Sequence, residues 1–433
     1  MFNTIRNAWR IPDLRKKLLY TLLIVIVFRF GSVIPAPFLD ATALSALMDS
    51  AGSNSALGYI NMLTGGAFSY ASLGIPPYIN SSIIMQLLTI AIPPLERLAK
   101  EGEEGRKKIA TITRYVTVVL GLIQGVAFYF YLRGQGIVEY TAGFSGVFAG
   151  LVIVLTFTAG TALIMWMGEQ INEKGIGNGI SILLFAGIVS RGPLTFGTVW
   201  QYMQLGIQSS STSGQYLVLA PLFIVLFLVV IWVIVFMNEA ERRIPVQYAK
   251  KVVGRKMYGG QSTFLPVKVA MSGVMPVIFA SAILSIPQFI QFFWNPTEGF
   301  GRAVLDALNQ TGWLYVVLYF LLILMFAYFY MSIQYNPLEM ANNLRQSNGT
   351  IPGIRPGKPT AEFIAKILSK VTLIGALFLA FVALIPIIYS NVTGMYGLSL
   401  GGTSVIIIVG VALDTVKQLE SQMMMRHYKG FLD

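Results

Sequence analysis

The chain has 433 residues, of which 55% are hydrophobic and only 12% charged, with a formal net charge of +12. A soluble protein carries about a quarter charged residues, so lipid rather than water is the expected solvent for most of this chain. Cysteine is absent and the single histidine is His427; this excludes disulfides, thiolate metal sites and cysteine nucleophiles, and nearly excludes histidine metal sites and Ser-His triads.

The first residues, MFNTIRNAWRIPDLRKK (1–17), are basic and amphipathic, with Phe2, Ile5, Trp9 and Ile11 on the apolar side. They predict a helix lying at the cytoplasmic interface. The apolar run behind them is long enough to span and has no small-residue cleavage site after it, as expected of a retained first span. Ten runs approach the roughly 20 residues that cross a bilayer: 18–36, 74–92, 110–132, 147–168, 176–195, 217–238, 273–294, 313–335, 368–390 and 402–419. A weaker stretch, 56–70, is too short and too glycine-rich to span and falls on the outer side.

Orientation follows from the cations. With the N-terminus inside, 27 of the 31 lysines and arginines fall in cytoplasmic segments and three (Arg133, Arg191, Arg302) in outer loops, with Arg29 inside span one. The positive-inside rule then places both termini in the cytoplasm. The expected organisation is an interfacial segment 1–17, a first five-helix half 18–195, an outer hinge loop 196–216, a second half 217–419 and a tail 420–433. Two long basic loops, 239–272 and 336–370, face the cytoplasm. The run EGEEGRKK (101–108) reads as a solvated turn, and GIGNG (175–179) as a tight turn entering span five, since it lacks a phosphate-binding lysine.

Ten spans divide into two fives, so the second half runs upside down relative to the first. Span two, GIPPYINSSII (74–84), aligns without gaps to span seven, GVMPVIFASAI (273–283), with Gly74/Gly273, Pro77/Pro276, Ile79/Ile278, Ser82/Ser281 and Ile84/Ile283 identical. Spans five and ten share Gly179/Gly402, Ser181/Ser404 and Gly187/Gly410, which sets Leu184 opposite Ile407. An ion- or proton-coupled transporter needs ionisable groups at mid-depth. Here Glu169, Asp414 and Arg29 lie toward span ends and read as interface anchors, while the inner polar residues Asn80, Ser81, Ser82, Gln86 and Asn178 are neutral. A membrane-embedded enzyme has no nucleophile–base pair to use.

Several segments together carry a resemblance: GGAF before span two, GIPPYINSSII, GE-x-I followed by EKGIGNGISILLFAGIV, and QYAKKVVGRKMYGGQSTFLPVKV. GVMPVIFASAI, TIPGIRPGKPT, GGTSVIIIVGVALDT and RHYKGF extend it nearly end to end. The chain resembles the SecY family of protein-translocase pore subunits. The resemblance implies an all-α membrane protein of ten transmembrane helices in two inverted halves around an hourglass pore, a protein-conducting channel without cofactor, metal or catalytic residues. It also implies a waist ring of Ile79, Ile83, Ile180, Leu184, Ile278 and Ile407, with spans two and seven as a lateral gate, and a plug within 56–70 that includes Asn61, Leu63, Thr64, Gly65, Gly66 and Phe68. The short FSYASL linker (68–73) and the doubled Pro76–Pro77 depart from the family pattern and put the plug's packing in question. Docking of the SecA ATPase or a ribosome is implied at Arg242, Arg243, Lys250, Lys251, Arg255, Lys256 and Arg355. The further implied partners are SecE and SecG, signal peptides, secretory precursors and anionic lipids, in a bacterial cytoplasmic membrane.

Overall fold

The computed structural model describes residues 2–32, 34, 36–40, 43, 74–140, 143–208, 214–248, 251–253, 256–258, 262–270, 273–293, 304, 305, 307, 308, 312–395 and 402–429. The plug segment 56–70 lies outside them, as do Lys250 and Arg255.

Prolines punctuate the first third of the chain. Helix α1 (Phe2–Arg10) ends before Ile11, which is extended, and α2 (Pro12–Gly31) starts on a proline that needs no amide partner there. Helix α3 (Pro76–Ala91) starts the same way and stops at Ile92, whose φ of −111° and ψ of 111° are those forced on a residue preceding proline. The following α4 (Pro93–Lys100) departs at 100°. Helix α5 spans Glu103–Gly134, so the predicted solvated turn is confined to Glu101 and Gly102. Glu103 and Glu104 favour a helix start because they face its positive dipole end.

Helix α6 (Gly143–Lys174) reverses through the glycine-rich turn into α7 (Gly179–Val189), and α8 (Gly192–Gln208) resumes at once. The expected outer loop 196–216 is therefore helical as far as Gln208; Pro193 breaks the ladder near Ser190 and then fits the first turn of a new helix. Next come α9 (Tyr216–Glu239), α10 (Met275–Phe293), α11 (Trp313–Gln334), α12 (Pro337–Gln346), α13 (Lys358–Thr393) and α14 (Gly402–Lys429). Helix α14 carries the expected tail as helix to Lys429.

Six helical stretches among the described residues are long and apolar enough to cross a membrane, or seven if the bent α3–α4 pair counts as one; Met275–Pro287 is apolar but shorter. By packing, the helices form two groups. One holds α2, α3, α5, α6 and α7, the other α9, α10, α11, α13 and α14. The groups meet where α7 touches α14 and where α10 lies against α3 and α5.

An entirely helical chain is not what folds. The basic loop 239–272 forms strands β1 (Glu241–Tyr248), β2 (Lys251–Val253), β3 (Lys256–Tyr258) and β4 (Ser262–Lys268), and the second loop adds β5 (Gly349–Thr350). The order is β4-β1-β5, antiparallel, with a separate β2–β3 hairpin. Ile244 and Val246 point inward while Arg243, Pro245 and Gln247 are exposed, the alternation of a half-buried strand. Pro245 is tolerated because β5 pairs only with Gln247 and Tyr248, and Pro266 because β4 is an edge.

The α6–α7 turn sets the tightest backbone approach in the first group. A Cβ on Gly179 would run into the carbonyl of Gly168, which is backbone and has no room to give. Gly179→Ala is therefore expected to destabilise the protein on the order of 1–3 kcal/mol or more, measured as a lower melting temperature in detergent. Gly197→Ala, in α8 with no atom within 4 Å of the added carbon, should be neutral or stabilising.

Candidate functional site: an apolar waist and a cytoplasmic platform

The glycine-rich turn is built by side chains that satisfy its amides. Asn172 Oδ1 accepts from the Gly179 N–H at 2.7 Å, Asn178 Oδ1 from Ser181 at 3.3 Å, and Thr21 Oγ1 from Ile176 at 3.1 Å. Gly177 takes a φ of +84°, which an L side chain rarely adopts. The turn delivers Ile180 onto Gly168, where any side chain would displace it.

From there one apolar cluster crosses the boundary between the two helix groups. Ile180, Leu184 and Ile407 are buried in it, beside Ile24, Phe28, Ile164 and Ile188. Ile79 and Ile278 are half-buried and pack against it. Five of the six expected ring positions thus converge, while Ile83 lies in a neighbouring cluster with Val277, Phe279, Ala280 and Val405. Four residues, just over one helical turn, separate Ile83 from Ile79, about 6 Å along the axis, enough to carry it into the core of the second group. Tyr20 and Tyr78 pack at the edge of this cluster.

The aligned segments match in backbone as well as in sequence. Gly74 and Gly273 have φ of +59° and +57°, and α3 and α10 begin at equivalent positions, Pro76 and Met275. Their first bonds coincide: Tyr78 N to Ile75 O at 3.0 Å and Val277 N to Val274 O at 3.1 Å, then Ile79 N to Ile75 O at 3.1 Å and Ile278 N to Val274 O at 3.2 Å. Helices α7 and α14 start at the equivalent Gly179 and Gly402.

Two pairs of polar side chains join helices within the first group. The hydroxyls of Ser81 on α3 and Thr117 on α5, both buried, share a hydrogen bond, which ties α3 to its own group. Arg114 Nε meets Glu169 Oε1 at 2.6 Å, a half-exposed pair worth at most about 1 kcal/mol. Asp414 is exposed, and Arg29 keeps Nη1 buried without a hydrogen-bond partner. Among the described residues no group of three metal-ligating side chains occurs.

The two long basic loops are one body. Strand β1 pairs with β4 from Glu241↔Lys268 to Gln247↔Ser262 and with β5 at Gln247↔Thr350 and Tyr248↔Gly349. Ile244, Val246 and Val267 from the first loop share a core with Leu344, Ile351, Ile364 and Leu368 from the second. Gly349 fits closely, since a Cβ there would lie 3.1 Å from the Tyr248 ring and 3.2 Å from Val246. Arg242 and Arg243 are exposed on β1, Arg243 bonded to Glu241 at 2.7 Å. Lys251 and Lys256 lie in the β2–β3 hairpin.

Arg355 stands exposed on the tip 352–357 between this core and α13. Gly353 and Gly357, with φ of +82° and +107°, turn the chain out and back. Ile354 N donates to Ile351 O at 3.1 Å, and the buried Thr360 hydroxyl donates to the Arg355 carbonyl at 2.8 Å. The charges of this platform were legible as sequence; the sheet was not, although the alternation in IPVQ and FLPVK was its signal.

Comparison with known proteins gives consistent matches. A family profile described as SecY matches residues 69–416. The protein translocase subunit SecY of Streptomyces scabiei is 42% identical over 444 aligned positions, covering 100% of both chains. That of Bacillus subtilis (strain 168) is 42% identical over 442 positions, again covering 100% of both. A solved structure described as that of a protein conducting channel superposes with a TM-score of 0.64 at 18% identity, covering 94% of this chain and 92% of its own. Sec61 in a canine ribosome-channel complex gives 0.62 at 17%, with the same coverage. At these identities the structural likeness concerns the fold.

The union of the two loops is directly measurable. Directly paired antiparallel residues lie about 4.5–5.5 Å apart at Cα, within the span of a disulfide. Because the chain has no cysteine, Gln247→Cys with Thr350→Cys should form an intramolecular disulfide on oxidation, seen as altered mobility after cleavage between the loops. Neither single variant should do so.

Proposed function

The chain belongs to the SecY family, and from that premise we propose how it acts as the protein-conducting channel of a translocase, a channel rather than an enzyme. The observation that carries the reading is the apolar cluster in which Ile79, Ile180, Leu184, Ile278 and Ile407 meet from both helix groups. Aliphatic side chains around a narrow passage dewet it and resist ions, yet they yield to a polypeptide without selecting among its side chains. With Ile83 one turn further along α3, these residues form the ring around an unfolded secretory chain.

The ten spans form two inverted five-helix halves, 18–195 and 217–419. The junction of α3 and α10 is the lateral gate through which signal peptides and membrane segments leave for lipid. Neutral polar groups line that side, and each interhelical hydrogen bond between such groups costs only about 0.6 kcal/mol to part. Residues 56–70, including Asn61, Leu63, Thr64, Gly65, Gly66 and Phe68, close the outer side as a plug. Ion-coupled transport is disfavoured because the inner polar residues of the spans, Asn80, Ser81, Ser82, Gln86 and Asn178, are neutral.

The platform built from loops 239–272 and 336–370 receives the motor: SecA, an ATPase, or a translating ribosome. Arg242, Arg243, Lys250, Lys251, Arg255, Lys256 and Arg355 supply the positive surface, and anionic lipids share it. SecE and SecG complete the complex in a bacterial cytoplasmic membrane, with both termini inside.

Photoreactive residues at Ile79, Ile180, Ile278 and Ile407, with Arg133 in an outer loop as control, test this. A stalled secretory precursor should crosslink at all four ring positions in a SecA- and ATP-dependent manner. A precursor that crosses without crosslinking at them places the passage elsewhere.

A further inference from the structure

The tip that carries Arg355 is short, exposed and bracketed by two glycines in the left-handed region, a composition that on its own gives a flexible loop. Its fixed points are few. Ile351 is buried in the platform core, with Ile354 folded back onto it through the 3.1 Å bond to the Ile351 carbonyl. On the other side, Thr360 is 4% exposed in the first turn of α13. Its hydroxyl reaches back five residues to the Arg355 carbonyl at 2.8 Å. Pro356 confines Arg355 to extended backbone and fixes the next φ. The hydroxyl then determines how that stiff pair is oriented on the helix.

We infer that Thr360 is the positioning residue for Arg355: its hydroxyl clamps the tip to α13, so that the guanidinium is presented in one orientation to an anionic surface of the docking partner. This rests on the reading of Arg355 as a docking residue. The clamp offers two advantages. The entropy of ordering the tip is lost on folding rather than on docking, and a push on Arg355 is delivered into the backbone of a 36-residue helix that packs on α10, α11 and α14.

The test uses the full chain with SecE and SecG in inverted membrane vesicles, measuring the SecA- and ATP-dependent translocation rate of a purified precursor. Thr360→Val keeps the shape and removes the donor, and should slow translocation about fivefold to tenfold, the factor one hydrogen bond supplies. Thr360→Ser should restore the rate. Combined with Arg355→Ala, Thr360→Val should add nothing further, because both act through the same guanidinium. An additive double variant, or Thr360→Val at the wild-type rate while Arg355→Ala is slow, overturns the clamp and leaves Arg355 as a docking residue. Arg355→Ala at the wild-type rate overturns the docking reading itself, and the clamp with it. Should Thr360→Val fail to accumulate, Gly357→Ala replaces it. The added carbon meets no atom within 4 Å, so it strains only the φ of +107° that seats the tip. It should show the same slowing and the same non-additivity, and a normal rate overturns the inference.

Discussion

Lipid accepts no unpaired amide or carbonyl, so a chain that spends most of its length there closes its hydrogen bonds within helices. A break between two apolar helices has to meet that constraint with side chains. The turn between α6 and α7 is the clearest instance: its exposed amides are taken by Asn172, Asn178 and Thr21, and its glycines let two backbones touch. Because that turn is fixed, Ile180 and Leu184 have one available direction, toward Ile407 on the other helix group. The waist is a consequence of satisfied backbone as much as of apolar side chains.

The two groups of helices are related by more than composition. Gly74 and Gly273 share an uncommon backbone conformation, and the bonds that open α3 and α10 repeat atom for atom. Each repeated helix meets its counterpart across the boundary, α3 against α10 and α7 against α14. Equivalent residues from the two groups thereby reach one cluster.

The helices were legible in the sequence because a run of some 20 apolar residues has few other uses. The glycine-rich turn and the pairing of Ile79 with Ile278 were legible for the same kind of reason: particular residue types fit few backbones. What escaped notice depended on less local signals. Strands β1 and β4 are short, interrupted by Pro245 and Pro266, and crowded with cations that attract attention as charge. Helix α8 was hidden by the Gly192–Pro193 break, which resembles the start of a loop. The place of Ile83 needed the packing of α10 and α14 around it, which no local pattern contains.

The pairing of β1 with β5 has a consequence for biosynthesis. The partner of strand β1, Gly349–Thr350, is separated from it by α10, α11 and α12. Non-local pairing of this kind waits for the intervening chain. The platform sheet therefore closes only after these helices have been made, while α13 and α14 are still to come. Until Gly349 and Thr350 have been made, β1 has one neighbour rather than two, and the core that joins the two loops lacks its second half.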